Sequence, residues 1–279
     1  MRLISNRYGK GRVRVLKILR DGATHTIQEI NVKAMLEGDF AAAYTAADNS
    51  KVVPTDTIKN TVNVLAREHL GEEIERFGAA LGEHFLRRYE QVESASAEIV
   101  AKNWQRLQID GQPHPHSFAA GSDAKTWAQV VCRRGSQEIQ SGVRDLVILK
   151  STQSGWAGYP KCEYTTLPET TDRILATSFE ATWAWSSTPA NYNRANEAIL
   201  AAMLAVFANN YSPSAQRSVY EMGEAALQAC PEISRVDLAM PNKHCLLINL
   251  KPFGLENRNE VFVPTDEPHG QIEGTVVRE

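Results

Sequence analysis

One order of secondary-structure elements occurs twice along this chain, and that repeat constrains the fold more than any other feature. In the first half, a β-branched strand at residues 12–18 leads into Asp21-Gly22, a hairpin signal. The return strand at residues 30–36 alternates apolar and polar side chains, which is typical of a half-buried antiparallel strand. Two amphipathic helices and two more strands complete the half, at residues 58–65, 74–89, 95–107 and 126–132.

The second half repeats this order. Its two helices are predicted to begin at Thr188-Pro189 and at Ser212-Pro213, because a hydroxyl residue before proline is a good helix-start signal. Grouped helices after a hairpin indicate an α+β protein whose antiparallel sheets carry helices on one face. We therefore predict two modules, 1–136 and 137–279, and a sheet face that association could bury. The strands of this half are predicted at residues 139–149, 174–185, 233–240 and 244–250.

Charge and hydropathy exclude several classes of partner. Thirty basic and 33 acidic residues give a formal net charge of −3, which argues against nucleic acid as the main partner. No apolar run approaches the roughly 18 residues of a membrane span. Residues 1–7 lack the apolar core of a signal peptide, and the final Val277-Arg278-Glu279 is not the Ser-Lys-Leu peroxisomal address. We expect a cytoplasmic protein.

The common cofactor and metal motifs are absent. There is no glycine-rich nucleotide fingerprint, and none of the 4 cysteines lies in a C-x-x-C pair. His114-Pro115-His116 is an H-x-H pair that could ligate a metal, but the segment offers no clear third ligand. We predict a solvated loop there and no metal site. Composition and periodicity alone indicate no reaction.

Five short segments carry more specific information, and they are spread in order along nearly the whole chain. They are Tyr8-Gly9-Lys10, Val53-Pro54-Thr55-Asp56-Thr57 followed by Lys59-Asn60, Leu149-Lys150-Ser151-Thr152, Glu163-Tyr164-Thr165-Thr166-Leu167 running into Thr171-Asp172-Arg173-Ile174-Leu175, and Pro241-Asn242-Lys243-His244. In sequence, order and intervals they resemble the urate oxidase (uricase) family.

That resemblance implies an architecture and a reaction. The family is built from two tandem tunnelling-fold (T-fold) modules and forms homotetramers with active sites at subunit interfaces. It needs no cofactor and converts urate, O2 and H2O to 5-hydroxyisourate and H2O2 in purine catabolism. The duplicated pattern agrees with the two modules, whereas the tetramer is implied by the resemblance alone.

The resemblance also assigns the proton-transfer residues. Lys10 matches the family's relay lysine, which acts with a threonine of a neighbouring subunit, here Thr55, and with a histidine, here His244. Without the resemblance, Lys10 reads as a solvated surface lysine and His244 as an ordinary strand residue. Thr55 and Asp56 are also good helix-capping residues, and a helix N-terminus favours an anion such as urate. The resemblance adds a contact from the Asp56 backbone to the purine.

The substrate-binding residues follow from the same resemblance. Arg173 and Gln216 match the pair that grips urate along its edge, and Ala215 matches a bulkier residue that gives a backbone contact. Trp156 stands where the family usually stacks a phenylalanine on the purine, and Tyr159 is the nearby alternative. Asn242, otherwise a hairpin-turn residue, is implied to hold O2 together with Thr55.

Two other functions remain open at this point. A T-fold enzyme acting on pterins would also hold a planar ring, but such enzymes commonly grip it with a glutamate where this chain has Gln216. A non-catalytic purine-binding paralogue would have no need of six matching site residues, although Trp156 departs from the family pattern. These six are Lys10, Thr55, Arg173, Gln216, Asn242 and His244.

Overall fold

The computed structural model describes all residues from 1 to 279, and the chain divides into two compact units. The first unit contains residues 1–144 and 184–194, and the second contains residues 145–183 and 195–279. No helix is both long and apolar enough to cross a membrane. The division into modules at residues 136 and 137 stays a prediction.

The first unit is an antiparallel sheet with two long helices packed on it. Its strands pair in chain order, and the hairpin between the first two turns at Gly22, whose φ of 58° suits glycine. The apolar stripes of the helices fill the core against the sheet, with Ile58 and Phe77 fully buried. The elements are β1 (Tyr8–Asp21), β2 (Thr24–Gly38), α1 (Ala41–Thr45), α2 (Thr55–His69), α3 (Ile74–Arg88), β3 (Val92–Ile109), β4 (Gln112–Arg133) and the first part of β5 (Ser136–Lys150).

The second unit has the same α+β character. Strand β6 pairs with β7, and β7 pairs with β10, while β8 pairs with β6 and with β9. Helix α5 packs on β7 and β10 through buried residues such as Val219 and Met222. Most of the following elements belong to this unit: β6 (Leu175–Trp185), α4 (Tyr192–Asn209), α5 (Ala215–Ala229), β7 (Ile233–Ala239), β8 (Asn242–Leu247), a 3-10 helix (Lys251–Phe253), β9 (Phe262–Thr265) and β10 (Glu273–Val277).

Both helix starts predicted in the second half are wrong, the first by three residues and the second by two. Helix α4 begins at Tyr192, and the side chain of Asn191, rather than Thr188, accepts a hydrogen bond from the Arg194 N–H at 2.8 Å. Helix α5 begins at Ala215, where the Ser214 hydroxyl accepts from the Arg217 N–H at 3.1 Å. In each case the first proline is followed by a second capping residue, and the later one is used.

Two predicted loops are parts of strands. His114-Pro115-His116 lies in β4, because the β3–β4 hairpin turns earlier, at Asp110-Gly111, and pairs onward from there. Asn242 begins β8 and pairs with Thr177 of β6, so it does not form a turn between β7 and β8. Long-range pairing with β6 decided the position of Asn242, and local sequence does not report such pairing. The position of His114 follows from Asp110-Gly111, a local hairpin signal that the sequence prediction did not use.

Candidate active site

The start of β1 is fixed by close contacts with two neighbouring segments. The Tyr8 hydroxyl accepts a hydrogen bond from the Val53 N–H at 2.7 Å, just before α2. Gly9 lies so close to β2 that a Cβ atom would stand 1.9 Å from the carbonyl oxygen of Ala34. These contacts hold the next residue, Lys10, beside the first turn of α2.

The N-terminus of α2 is open to a ligand. Pro54 occupies the N-cap position with φ −55° and ψ 137°, and no side chain caps the helix. Thr55 and Asp56 are therefore the first residues of the helix and not its caps, contrary to one reading of the sequence. The first-turn N–H groups and the positive end of the helix dipole attract negative charge at this position.

Asp56 links this helix to Lys10. Its carboxylate accepts hydrogen bonds from Lys59 and, at 3.0 Å, from Asn60. The hydrogen bond and charge of Lys59, with a weaker contribution from the charge of Lys10, hold the pKa of Asp56 below its ordinary value. Lys10 thus lies within electrostatic range of the Thr55-Asp56 segment of its own chain. The expectation that its threonine comes from a neighbouring subunit stays a prediction.

The second unit contains a cavity of about 580 Å³ that four of the predicted site residues line together. This volume is in the usual range for small-molecule sites. Apolar side chains such as Leu167, Ile174 and Phe262 form much of the remaining wall. The four predicted residues on it are Trp156, Arg173, Asn242 and His244.

Two polar atoms on this cavity are buried and have no hydrogen-bond partner. They are Nε of Arg173 and Oδ1 of Asn242. Burial also lowers the pKa of Arg173, an effect that nearby Tyr211 partly offsets. An unsatisfied buried polar group costs about 1–3 kcal/mol, so such groups call for an explanation. A planar ligand with both acceptors and donors on its edge would satisfy both atoms.

The aromatic wall of the cavity is Trp156. Its backbone exchanges hydrogen bonds with Thr170 at 2.7 and 2.9 Å, and its ring lies 6.0 Å from the Arg173 guanidinium carbon. Tyr159 stacks on Trp156 with ring centroids 5.6 Å apart and planes inclined by 13°. Because Trp156 lines the cavity and Tyr159 does not, the geometry favours Trp156 as the residue that a flat ligand would stack on.

Strand β8 supplies two polar residues of the cavity, Asn242 and His244. The Asn242 N–H donates to the Gly270 carbonyl at 2.9 Å, which fixes the backbone of the residue carrying the unpaired Oδ1. His244 follows two residues later, so the two side chains lie on the same face of the strand. Neighbouring Lys243 also lines the cavity and forms an ion pair with Asp266 at 2.6 Å.

Ala215 and Gln216 lie at the start of α5 and do not line this cavity. Ala215 is buried, and Gln216 is exposed. Ser212, just before α5, links the start of this helix to the segment that leads to Trp156. Its N–H donates to the Gln153 carbonyl at 2.9 Å, and its carbonyl accepts from the Gly155 N–H at 2.8 Å. Sequence reasoning did not identify Ser212 as a site residue.

The comparisons with known proteins agree with these observations. The Uricase family model matches residues 6–131 and 139–273. A uricase from Cyberlindnera jadinii is 41% identical, with 99% of this chain and 97% of that protein covered. A uricase from Arthrobacter globiformis is 40% identical over 98% of this chain and 89% of that protein. The crystal structure of an Arthrobacter globiformis uricase superimposes with a TM-score of 0.95 at 40% identity, covering 100% of this chain and 96% of that one.

These matches cover almost the whole chain at about 40% identity, and the architecture is the predicted α+β T-fold. The chain belongs to the uricase family.

Proposed function

We propose that this enzyme oxidises urate in the cavity of its second unit. As a member of the uricase family, the chain is an oxidoreductase that acts on urate with O2, in purine catabolism. The observation that carries the location is the pair of buried, unpaired polar atoms on Arg173 and Asn242, in one cavity with the flat wall of Trp156. Urate is flat, anionic near neutral pH, and polar along its whole edge.

Arg173 binds urate through its planar guanidinium group. Its buried Nε–H and terminal N–H groups donate to acceptors on one edge of the ring, where Arg geometry suits planar, bidentate recognition. Gln216 does not line the cavity, and we propose that its exposed amide, which both donates and accepts, reaches the ring from the start of α5 with the Ala215 backbone beside it. Trp156 stacks on the ring face and gives more contact area than a phenylalanine would.

Proton transfer is assigned to Lys10, Thr55 and His244. The lysine and threonine remove a proton from urate, which makes the ring electron-rich enough to react with O2. The uncapped first turn of α2, with the Asp56 N–H, stabilises the resulting negative charge. His244 exchanges protons near neutral pH and completes the relay.

Asn242 and Thr55 hold O2, and later a water molecule, above the ring. Urate transfers two electrons to O2, which leaves as H2O2, and water supplies the hydroxyl of 5-hydroxyisourate. Atoms balance as urate + O2 + H2O to 5-hydroxyisourate + H2O2. The protein contributes orientation and electrostatic stabilisation, because the substrate itself reduces oxygen.

We also propose that the enzyme is a cofactor-free, cytoplasmic homotetramer with active sites at subunit interfaces. Family resemblance supports each part. Strand residues Leu16, Val147 and Leu149 are each more than half exposed, which favours association. The 4 free cysteines suit a reducing compartment. Light scattering tests the tetramer, and fluorescence microscopy of the tagged protein tests the location.

One assay tests the reaction. Protein dialysed against a chelator is mixed with urate in air, and urate absorbance, O2 uptake and H2O2 are followed together. We expect one O2 consumed and one H2O2 released per urate, with catalase removing the peroxide but not stopping urate loss. Urate binding without O2 uptake would replace the oxidase with a binding protein. No urate binding would return the pterin alternative, and turnover that the chelator abolishes would refute the cofactor-free mechanism.

A further inference from the structure

Lys150, at the end of β5, makes a set of contacts that the proposed reaction does not use. Its ammonium group donates to the Asn210 carbonyl at 2.8 Å and to the Ser212 hydroxyl at 2.7 Å. It also lies 5.4 Å from the centre of the Phe207 ring. Asn210 directly follows α4, so the positive charge sits at the C-terminal end of that helix, where the dipole favours it.

Ser212 is the point at which two segments of the site meet. Besides accepting from Lys150, its hydroxyl lies 2.7 Å from that of Ser218 in α5, and Ser212 is almost fully buried. Its backbone forms the two hydrogen bonds to Gln153 and Gly155 described above. Movement of Ser212 would therefore displace the 153–155 segment.

Each segment leads to one half of the proposed urate grip. From the 153–155 segment, the Ser154 carbonyl accepts from the Arg173 N–H at 2.8 Å. On the other side, Ser212 is followed by Ser214, the N-cap of α5, and then by Gln216. Lys150 thus holds Ser212 in place, and Ser212 is linked on one side to the segment that contacts Arg173 and on the other to the start of α5, which carries Gln216.

We propose that Lys150 is a positioning residue that sets the separation of Arg173 and Gln216. The inference rests on the proposed function, in which these two side chains bind urate together. Lys150 suits the task because one ammonium group can donate to two acceptors from different segments at once. Its partial burial makes this arrangement hard to replace with water, and the same burial lowers the pKa of Lys150.

The first test is Lys150→Met, with Lys251→Met as the matched change at an exposed lysine. We expect the KM for urate to rise about tenfold in Lys150→Met, because a charge-assisted hydrogen bond is lost, with kcat changed less than about threefold. Lys251→Met should match the wild type. A purely structural role would lower the melting temperature and the fraction of active enzyme but leave KM unchanged, and that outcome would overturn the proposal.

A double-mutant cycle with Gln216→Ala separates this proposal from the proposed function. If Lys150 acts through the Arg173–Gln216 spacing, adding Lys150→Met to Gln216→Ala should raise KM little further. Effects that multiply would refute the positioning role alone. If Gln216→Ala by itself leaves KM unchanged, the two-residue grip in the proposed function fails.

Ser212→Ala keeps the test decisive if Lys150→Met does not fold. It removes the hydroxyl acceptor of Lys150 together with the contact to Ser218, so Ser218→Ala, which removes only the second of these, is its control and should leave KM unchanged. We expect KM to rise about threefold or more in Ser212→Ala, again with little further effect in the Gln216→Ala background. An unchanged KM in folded Ser212→Ala would contradict the proposal.

Discussion

Two glycines flank Lys10, and the structure predicts opposite responses to the same substitution. A Cβ atom at Gly9 would lie 1.9 Å from the Ala34 carbonyl oxygen and 2.8 Å from the Met35 Cα, both of them backbone atoms that cannot rotate away. A Cβ atom at Gly11 would meet nothing within 4 Å. Overpacking costs about 1–3 kcal/mol, and a clash with the backbone of the neighbouring strand belongs at the upper end. We expect Gly9→Ala to lose about 3 kcal/mol of unfolding free energy, and Gly11→Ala less than about 0.5 kcal/mol.

The same two variants, Gly9→Ala and Gly11→Ala, should also differ in kcat. To accommodate a methyl group, β1 must move relative to β2, which displaces Lys10 from its position beside the first turn of α2. A displacement of about 1 Å can lower a rate about a hundredfold, so kcat for urate should fall steeply in Gly9→Ala and stay near wild type in Gly11→Ala. Urea unfolding and steady-state urate oxidation measure the two effects. Equal stabilities and equal kcat values for the two variants would refute the view that close β1–β2 packing positions Lys10.

Three further predictions concern other contacts. In Tyr8→Phe the buried Val53 N–H loses its acceptor, so the free energy of unfolding should fall by about 1–3 kcal/mol. The same change should lower kcat more than it lowers the affinity for urate. An unchanged urea midpoint would contradict this prediction. A Cβ atom at Gly155 would lie 2.2 Å from the Tyr211 hydroxyl oxygen and 3.0 Å from the Thr170 carbonyl oxygen, so Gly155→Ala should raise KM severalfold. Adding Tyr211→Phe should restore KM in part, since the nearest clashing atom is then gone, and no rescue in urate assays would refute the clash with Tyr211. Burial raises the pKa of Cys230 from 9.0 to about 11, so its contribution to stability is complete below about pH 9 and is lost as pH rises towards 11. Urea unfolding at stepped pH values should show a smaller loss across this window in Cys230→Ala than in the wild type, and identical losses would exclude the thiol as the cause.

Much of the fold was predictable because its strongest signals are local. The Asp21-Gly22 hairpin, the alternation along β2 and the stripe from Ile74 to Phe85 in α3 are confirmed. Where the sequence offered two start signals in succession, as at Ser212-Pro213 and Ser214, the choice depended on contacts with the distant 153–155 segment. The position of His114 within β4, by contrast, followed from Asp110-Gly111, a local hairpin signal that the sequence prediction did not use.

The sequence was enough to predict which residues belong to the candidate site, but not their burial or their contacts with one another. Resemblance named Arg173 and Asn242, and the structure adds that each has a buried polar atom without a partner in one cavity. The stacking of Tyr159 against Trp156 and the contacts of Lys150 join residues that no local pattern connects. Burial and long-range contact are properties of the folded chain, which explains why these features could not be predicted.

The most direct test of the account is the effect of Lys10→Met on urate binding and on turnover. The dissociation constant is measured by anaerobic titration, so that bound urate cannot react, and kcat is measured in air with the same preparation. If Lys10 removes a proton while Arg173 and Trp156 hold the ring, the dissociation constant should change less than about threefold while kcat falls by at least about a hundredfold. Comparable losses of affinity and turnover would show that Lys10 binds the substrate and does not carry the proton.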